Sequence, residues 1–572
     1  MRRLITGQAA AKGLALGRAR VCEAHGLEIS EERIEEDRID DELARLHLAI
    51  DRARDELAKL RDRLHGAIAQ EIGEFLDLHA MLLDDPELLA GFDRLIRDEG
   101  YSAAYALKLQ RDRLVAVFDG MDDPYLRSRR EDIDHVIGRV HAGLQRRDSD
   151  AMEGLAGDVL ICDSVAPSEI AQLAERGVVA IVTAQGSPLS HSAILARSLH
   201  VPLVVGAHDA LGQVNDGDAM MVDGRSGEVI VEPSAADLRR FRQRKRESQR
   251  EQERLALLKK KATRTKDGVD IRLFANAESR EDVAQAHDLG AAGIGLYRTE
   301  FLFLQRSELP DEEEQFRVYR DVVLGMRGRP VTIRSLDLGA DKADKTGLAL
   351  ASEPNPALGL RGVRLSLRHV DAMRTQLRAV LRASGYGPIR LLVPMISSRD
   401  EIRRVRREFL DCARDLRTEG YEIADNLELG AMIEVPAAAL ALPRMIGDVE
   451  FLSIGTNDLV QYLLAVDRNN DALGDLYSPL HPAVLRLLHD VIKLGQKHGK
   501  RVLVCGEMAA DPAQTRLLLA LGRTDFSLHP GSMLEVRQII RESDHHALRR
   551  RASTLLRAPD REAILPVRDG SG

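Results

Sequence analysis

The second half of the chain constrains the fold more than any other stretch. From residue 267 onward, short apolar runs alternate with helical stretches; in order they read VDIRLFAN, AGIGLYRTE, VTIRSLD, IRLLVPMI, LGAMIEVP, FLSIGTND, RVLVCGEM and DFSLHPG. About eight strands separated by helices is the count of a TIM (β/α)8 barrel. Polar residues stand at the C-terminal ends of these runs: Arg298, Arg334, Glu434, Asn457 with Asp458, and Cys505 each follow an apolar stretch directly. In a barrel those ends converge on the one face where such folds place their active sites.

The chemistry expected of that face follows from the side chains. Arg298, Arg334 and Arg468, with Arg361 and Lys342 on neighbouring loops, make a cationic pocket. Guanidinium groups grip carboxylate and phosphate bidentately, so the set suits a small polyanion bearing both. A single arginine is more often a salt-bridge partner; the set points to a phosphorylated carboxylic acid. Glu434 and Asp458 add hard oxygen ligands, and two carboxylates completed by substrate oxygens and water is a usual way to hold Mg²⁺. Such an ion neutralises charge on a phosphoryl group in transfer.

The first half reads differently. In residues 1–30 and 147–232, β-rich runs such as GDVLICD, VVAIVTA, PLVVGA and AMMVDG alternate with short helices, which predicts a compact α/β unit. Residues 31–146 are helical in pattern and are inserted into it. Their first helix repeats Ile39, Leu43, Leu46, Ile50, Ala53, Leu57, Leu60 and Leu64, a heptad seam that must pack along another helix. The expected partner is the next segment of the same chain, EFLDLHAMLLDDPELL at 74–89.

Within the α/β unit, QGSPLSHSAILARSLHVPLVVG (185–206) places His191 between two serines. Ser190 is a plausible N-cap for a helix whose apolar positions are Ile194, Leu195 and Leu199, and His191 then lies in the first turn. The positive end of the helix dipole disfavours imidazolium, leaving a ring nitrogen free as a nucleophile, and favours a phosphoryl group attached there. A surface histidine beside a cap is the other reading, and this segment alone leaves both open.

Residues 233–266 are strongly basic, and 238–266 carry neither Pro nor Gly; they read as a solvated helical linker whose charges keep it from packing. Nucleic-acid binding is disfavoured, since Phe241 is the one aromatic residue in the run and the formal net charge of the chain is -9. Cys22, Cys162, Cys412 and Cys505 lie far apart, which fits a reducing compartment and excludes the usual zinc spacings. Lys12, Arg18 and Arg20 interrupt any leader after Arg2 and Arg3, so no signal peptide and no membrane span are expected, and the cytoplasm is the expected location. A length of 572 residues suggests several domains.

LSHSAILARS resembles the phosphohistidine segment of phosphoenolpyruvate-utilising enzymes, and GIGLYRTEFLF, NPALGLRGVR, IEVPAA, SIGTNDLVQYLLAVDRNN and VCGEMAAD resemble the signature blocks of their barrel domain. Length and block order are similar to the branch serving the bacterial phosphotransferase system. The resemblance implies an α/β phosphohistidine domain with an inserted helical bundle that docks the carrier protein HPr. It further implies a linker helix at 233–266 and a phosphoenolpyruvate-binding TIM barrel at 267–572 that forms a homodimer.

By the same resemblance, His191 attacks the phosphorus of phosphoenolpyruvate; Arg298, Arg334, Lys342, Arg361, Asn457 and Arg468 bind that substrate; and Glu434 and Asp458 hold Mg²⁺. Cys505 stands where the family keeps the acid that protonates the departing enolate to pyruvate, so it must keep its proton at rest. HAMLLDDPEL (79–88) offers Met81, Leu82 and Leu83 beside Asp84, Asp85 and Glu87, an apolar centre with an acidic rim suited to a basic HPr face.

Two positions depart from the family pattern. Gly-Gly-x-Thr-Ser-His is replaced by Gly186, Ser187, Pro188, Leu189, Ser190 and His191, and Ile170 stands where a threonine is expected. Both changes remove hydroxyls that orient the imidazole, leaving Ser190 or Ser192 to substitute, and they keep open a catalytically weak, phosphoenolpyruvate-sensing paralogue. The ATP-dependent relatives need a nucleotide-binding domain, and the N-terminal helical region carries no Gly-rich phosphate loop.

Overall fold

The computed structural model describes residues 2–22, 31–63, 76, 79–119, 130–145, 155–165, 167–187, 190–199, 201–303, 308–339, 353, 355–468, 473, 476–522 and 524–557. It divides into two compact units, residues 1–249 and 250–572.

In the first unit, β1 (Arg3–Thr6), β2 (Gln8–Ala11), β3 (Leu14–Val21), β4 (Asp158–Cys162), β5 (Ala180–Thr183), β6 (Leu203–Val205), β7 (Ala219–Asp223) and β8 (Glu228–Val231) form one sheet in the order β1-β8-β7-β3-β4-β5-β6-β2. Strands β3 to β6 run parallel and the flanking pairs antiparallel. Both faces are covered, so the strands read as continuous apolar runs. In β4, Val159 and Ile161 enter one core while Leu160 and Cys162 enter another. The second core continues without a break into a bundle of α1 (Ile39–Arg63), α2 (Pro86–Arg97), α3 (Ala103–Asp119) and α4 (Arg130–Gln145).

The heptad seam is buried at Leu43, Leu46, Ile50, Ala53 and Leu57, while Leu64 lies outside the described residues. Among the described residues α1 runs chiefly along α4, where Arg45 Nη2 donates to the Leu144 carbonyl at 3.0 Å; of the expected partner segment, residues 74, 75, 77 and 78 lie outside the described residues. The 74–89 segment contributes more locally, with Arg54 Nη2 donating to the Leu83 carbonyl at 2.7 Å. A heptad requires a partner and does not specify which helix supplies it. The unit also holds α5 (Pro167–Glu175) and α6 (His191–Ser198).

The basic helix α7 (Ala235–Ala256) corrects the expectation of an unpacked linker. Phe241 is buried against Met221 and Ile230 of the sheet. Asp237 is buried too and binds Arg2 at 2.8 Å and Arg240 at 3.0 Å, and Arg244 reaches Asp223 at 2.7 Å. The charges of its first half do not repel it from the domain; they pair at the edge of the patch that Phe241 fills.

In the second unit, β9 (Leu273–Ala277), β10 (Ile294–Tyr297), β11 (Val331–Arg334), β12 (Ile389–Val393), β13 (Glu428–Ile433), β14 (Phe451–Gly455), β15 (Arg501–Cys505) and β16 (Asp525–Leu528) close into an all-parallel barrel. These are the eight apolar runs read from the sequence. Phe274, Leu296, Leu392, Met432, Phe451 and Leu503 fill the interior, and alternate residues such as Leu391 and Val393 pack outward against the helices. Two helices matter for the site: α8 (Val370–Ala383) lies outside the barrel, and α9 (Thr456–Leu464) follows β14. Arg537 is buried and donates to the carbonyls of Leu258, Lys259, Leu289 and Gly290 at 2.7 to 3.0 Å, pinning the segment after α7 to the barrel wall. No helix among the described residues is long and apolar enough to cross a membrane.

Candidate active site

The strand ends at the barrel mouth bring the sequence-predicted residues together around an acid the sequence reading passed over. Asp337, three residues beyond the end of β11, is nearly inaccessible and lies 3.1 Å from Arg334 and 3.1 Å from Arg361. Arg334 also donates to Glu300 at 2.9 Å. Burial opposes the charge of Arg334, but Glu300 and Asp337 outweigh it and hold the guanidinium above its ordinary pKa. Burial likewise raises Asp337, and Arg334 and Arg361 overcome it, leaving the carboxyl below its usual range.

Arg361 bridges from Asp337 to Asp458 at 3.4 Å and donates to the Tyr462 hydroxyl at 3.2 Å. Arg298 pairs with Glu278 and acts electrostatically on both Asp337 and Cys505. Arg468 is the most loosely held of the described ligands expected near Asp458, 4.0 Å from its carboxylate. Lys342 lies outside the described residues.

Asn457 and Asp458 occupy the first turn of α9. Asn457 clasps the next strand end through its side-chain amide, donating to Glu507 Oε1 at 3.2 Å and accepting from the Glu507 N–H at 2.9 Å. That approach requires Gly506, whose φ is +93° and where a Cβ would meet Thr456 Oγ1 at 2.3 Å. Glu434, directly after β13, is 2% exposed and accepts from the Met395 N–H at 2.6 Å. Burial first, then the nearby charges of Asp337 and Asp458, raise its carboxyl above the usual range. Crowded carboxylates that hold a proton are the donor set a small hard cation fits, because the cation removes the repulsion.

Cys505 ends β15 and is 2% exposed. Its Sγ accepts from the Ser453 hydroxyl at 3.5 Å and donates to the Ile454 carbonyl at 3.2 Å. Burial pushes the thiol up to about 11, so it keeps its proton at neutral pH.

In the first unit, Ser190 caps α6: its backbone is extended and its hydroxyl accepts from the Ala193 N–H at 3.2 Å. His191 is the first residue of that helix; its side chain lies outside the described residues, as do Pro188 and Leu189. Ser192 donates its hydroxyl proton to the Val165 carbonyl at 2.6 Å, whereas Ser190 Oγ accepts in its cap bond and retains a proton to donate. The packed face of α6 is Ala193, Leu195 and Ala196; Leu199, expected on that face, is 38% exposed at the C-cap. Ile170 is fully buried with them, so the methyl groups that replace a threonine hydroxyl there serve the core.

On the bundle, Met81 is 70% exposed and Leu82 half-buried. Leu83 departs from the expected surface and is buried in the bundle core. Asp84 is exposed and binds Arg54 at 2.8 Å, while Asp85 caps α2 by accepting from the Glu87 N–H at 2.8 Å.

Sequence reasoning missed Asp337, Glu300, Tyr462 and Glu507. The signal for two of them was local: Glu300 lies two residues beyond Arg298 and Asp337 three beyond Arg334, at strand ends already marked as functional.

Three family models match the chain: PEP-utilising enzyme, N-terminal, over residues 6–129; PEP-utilising enzyme, mobile domain, over 154–227; and PEP-utilising enzyme, PEP-binding domain, over 252–545. A phosphoenolpyruvate-protein phosphotransferase of Cupriavidus necator is 41% identical over 566 residues, covering 96% of each chain. One of Geobacillus stearothermophilus is 39% identical over 562 residues, covering 98% of this chain and 97% of its own. A solution structure of an Enzyme I protein, 31% identical, covers 43% of this chain and 99% of its own with a TM-score of 0.35.

Proposed function

The chain belongs to the phosphoenolpyruvate-utilising enzyme family, and from that premise we propose that it is a phosphoenolpyruvate-protein phosphotransferase, phosphorylated on His191 and passing the phosphoryl group to a histidine of an HPr-type carrier. The observation that carries this reading is the barrel mouth, where Arg298, Arg334, Arg361 and Arg468 stand with Glu434, Asp458 and a protonated Cys505.

The guanidinium groups, with Asn457 and Lys342, bind the carboxylate and phosphate of phosphoenolpyruvate. Each guanidinium has five N–H donors, so Arg334 and Arg361 retain donors beyond those given to Glu300 and Asp337. A ring nitrogen of His191 attacks phosphorus, and the bond from phosphorus to the enol oxygen breaks. Cys505 gives its proton to the terminal carbon of the resulting enolate; pyruvate leaves and the sulfur keeps the S–H electron pair until solvent reprotonates it. The N-terminal position of His191 on α6 favours the phosphoryl group it then carries. Glu434 and Asp458 are the residues that would hold Mg²⁺, on which the family generally depends; when bound it supplies positive charge to the transferring phosphoryl group.

His191 belongs to the first unit and the substrate ligands to the second, so the reading requires a swing between residues 1–232 and 267–572, with 233–266 as its linker. Residues 1–30 and 147–232 form the phosphohistidine domain and 31–146 the carrier-docking bundle, where Met81, Leu82, Asp84 and Asp85 meet a basic carrier face. The barrel, 267–572, forms the homodimer. The described cysteines are free thiols, which supports a cytoplasmic location.

Incubation with phosphoenolpyruvate, Mg²⁺ and HPr tests the reading. It predicts pyruvate released in step with acid-labile phosphate on the carrier, and none when ATP is the donor. Asp84→Lys raises the KM for HPr and spares phosphorylation by phosphoenolpyruvate; Asp84 is chosen because Asp85 also caps a helix. Equal changes in both steps, or in neither, contradict the docking assignment.

A further inference from the structure

One buried amide joins the two strand ends that carry Arg298 and Arg334. Gln376 lies on α8 and is 2% exposed. Its Oε1 accepts from the Leu336 N–H at 2.9 Å, two residues beyond Arg334. Its Nε2 donates to Thr299 Oγ1 at 3.2 Å, the residue after Arg298, and to the Tyr319 hydroxyl at 3.1 Å.

The chain of bonds continues in one direction. Thr299 Oγ1 donates to the Arg334 carbonyl at 3.0 Å, Tyr319 to Gln315 Oε1 at 3.2 Å, and Gln315 Nε2 to the Pro310 carbonyl at 2.9 Å. Thr299, Tyr319 and Gln315 are all buried. Both amide protons and both hydroxyl protons have assigned acceptors, so the orientation of every group is fixed by its neighbours.

Packing alone does not ask for a polar side chain here. On the same helix Met373, Leu377 and Val380 are buried and apolar, and an amide in that surrounding is costly unless every polar atom is met. What the amide adds is a tie between two loops that no apolar side chain makes.

We propose that Gln376 is a positioning residue for phosphoenolpyruvate, holding Arg298 and Arg334 at the spacing that spans the carboxylate and phosphate of the substrate. The proposal rests on the reading of the barrel mouth given above. Two bidentate grips at a fixed separation select by that separation, and loosening one strand end weakens substrate binding more than it changes the chemistry at His191. The void beside Gln376 measures about 10 Å³, too small to admit more than one water in place of the lost bonds.

The test uses the full chain as wild type, Gln376→Met, Thr299→Val, the double variant and Thr299→Ser. Steady-state phosphorylation by phosphoenolpyruvate is measured in each, beside phosphorylation of His191 from phosphorylated HPr, which does not use the barrel. Gln376→Met and Thr299→Val raise the KM for phosphoenolpyruvate by about tenfold, with a smaller change in kcat. The double variant loses less than the product of the two single effects, because the Gln376–Thr299 bond is already cut in either single variant while the Leu336 and Arg334 bonds are lost separately, and Thr299→Ser stays near wild type. Transfer from phosphorylated HPr is unchanged, which also shows that the variants are folded. If Gln376→Met does not fold, the Thr299 pair carries the same comparison. An unchanged KM, additive losses, or a fall in kcat alone overturns the positioning role. No turnover of phosphoenolpyruvate by the wild type overturns the reading beneath it, and the proposal with it.

Discussion

At the barrel mouth, charged groups are held by other charges; at the start of α6, the two serine hydroxyls are held by the backbone. Arg334 and Arg361 share Asp337, and Arg361 continues to Asp458, so the positive pocket is largely balanced from within. At the start of α6, among the described residues, the Ser190 hydroxyl bonds an N–H and the Ser192 hydroxyl a carbonyl, and the positive character comes from a helix end. The first arrangement offers the proposed polyanionic substrate guanidinium groups already fixed in place. The second puts residue 191 in the first turn of a short helix, where, on the reading proposed above, the helix end favours an attached phosphoryl group.

The comparison fails first, if it fails, at Asp337. Asp337→Asn leaves Arg334 and Arg361 without their shared counter-charge, and breaking a buried pair of this kind costs about 3–5 kcal/mol. Urea unfolding of the full chain reads that loss; a variant as stable as the wild type means that the mouth is not held by its internal charges.

A pH dependence specific to the mouth comes next. Burial beside Asp337 and Asp458 raises the pKa of Glu434 in the folded chain above its unfolded value. Between those two values the folded state binds one proton more than the unfolded state, so metal-free stability falls as pH rises through the interval. Glu434→Gln flattens this slope. Mg²⁺ displaces the same proton, so its affinity rises with pH, which calorimetry in buffers of different ionisation enthalpy detects as proton release. A slope unchanged in Glu434→Gln removes the crowded-carboxylate account.

At the histidine turn the effects are smaller. Ser190→Ala removes a cap and costs about 0.5–2 kcal/mol, and it slows phosphorylation of His191 by phosphoenolpyruvate and by phosphorylated HPr to the same degree, since both use the same turn. A loss confined to one donor locates Ser190 in that donor's site instead. Smallest of all is Asp84→Asn: its pair with Arg54 is exposed, so stability changes by less than about 1 kcal/mol.

The two regions also differed in how legible they were. The eight strands were readable because each is an apolar run set between helical stretches, five of them followed by a polar residue, and the Ser190 cap because capping is a local pattern. Asp337 and Glu300 were not, because a carboxylate shortly after a strand reads as loop until the fold brings an arginine to it. Gln376 contacts residues 40 and 77 positions away, which no local pattern encodes. The packed half of α7 was obscured by its own composition: one aromatic residue and one acid among many basic residues decide where it docks.

The most direct test of the central claim is transfer of labelled phosphate from phosphoenolpyruvate to the purified chain, with Mg²⁺, in wild type and His191→Ala, and with labelled ATP in parallel. The account predicts acid-labile label on the wild type alone, dependent on Mg²⁺ and absent with ATP. Label that persists in His191→Ala, or a folded wild type that binds phosphoenolpyruvate and takes no label, contradicts it; the latter would mean that the departures at Leu189 and Ile170 have cost the chemistry, and the phosphoenolpyruvate-sensing paralogue becomes the leading reading.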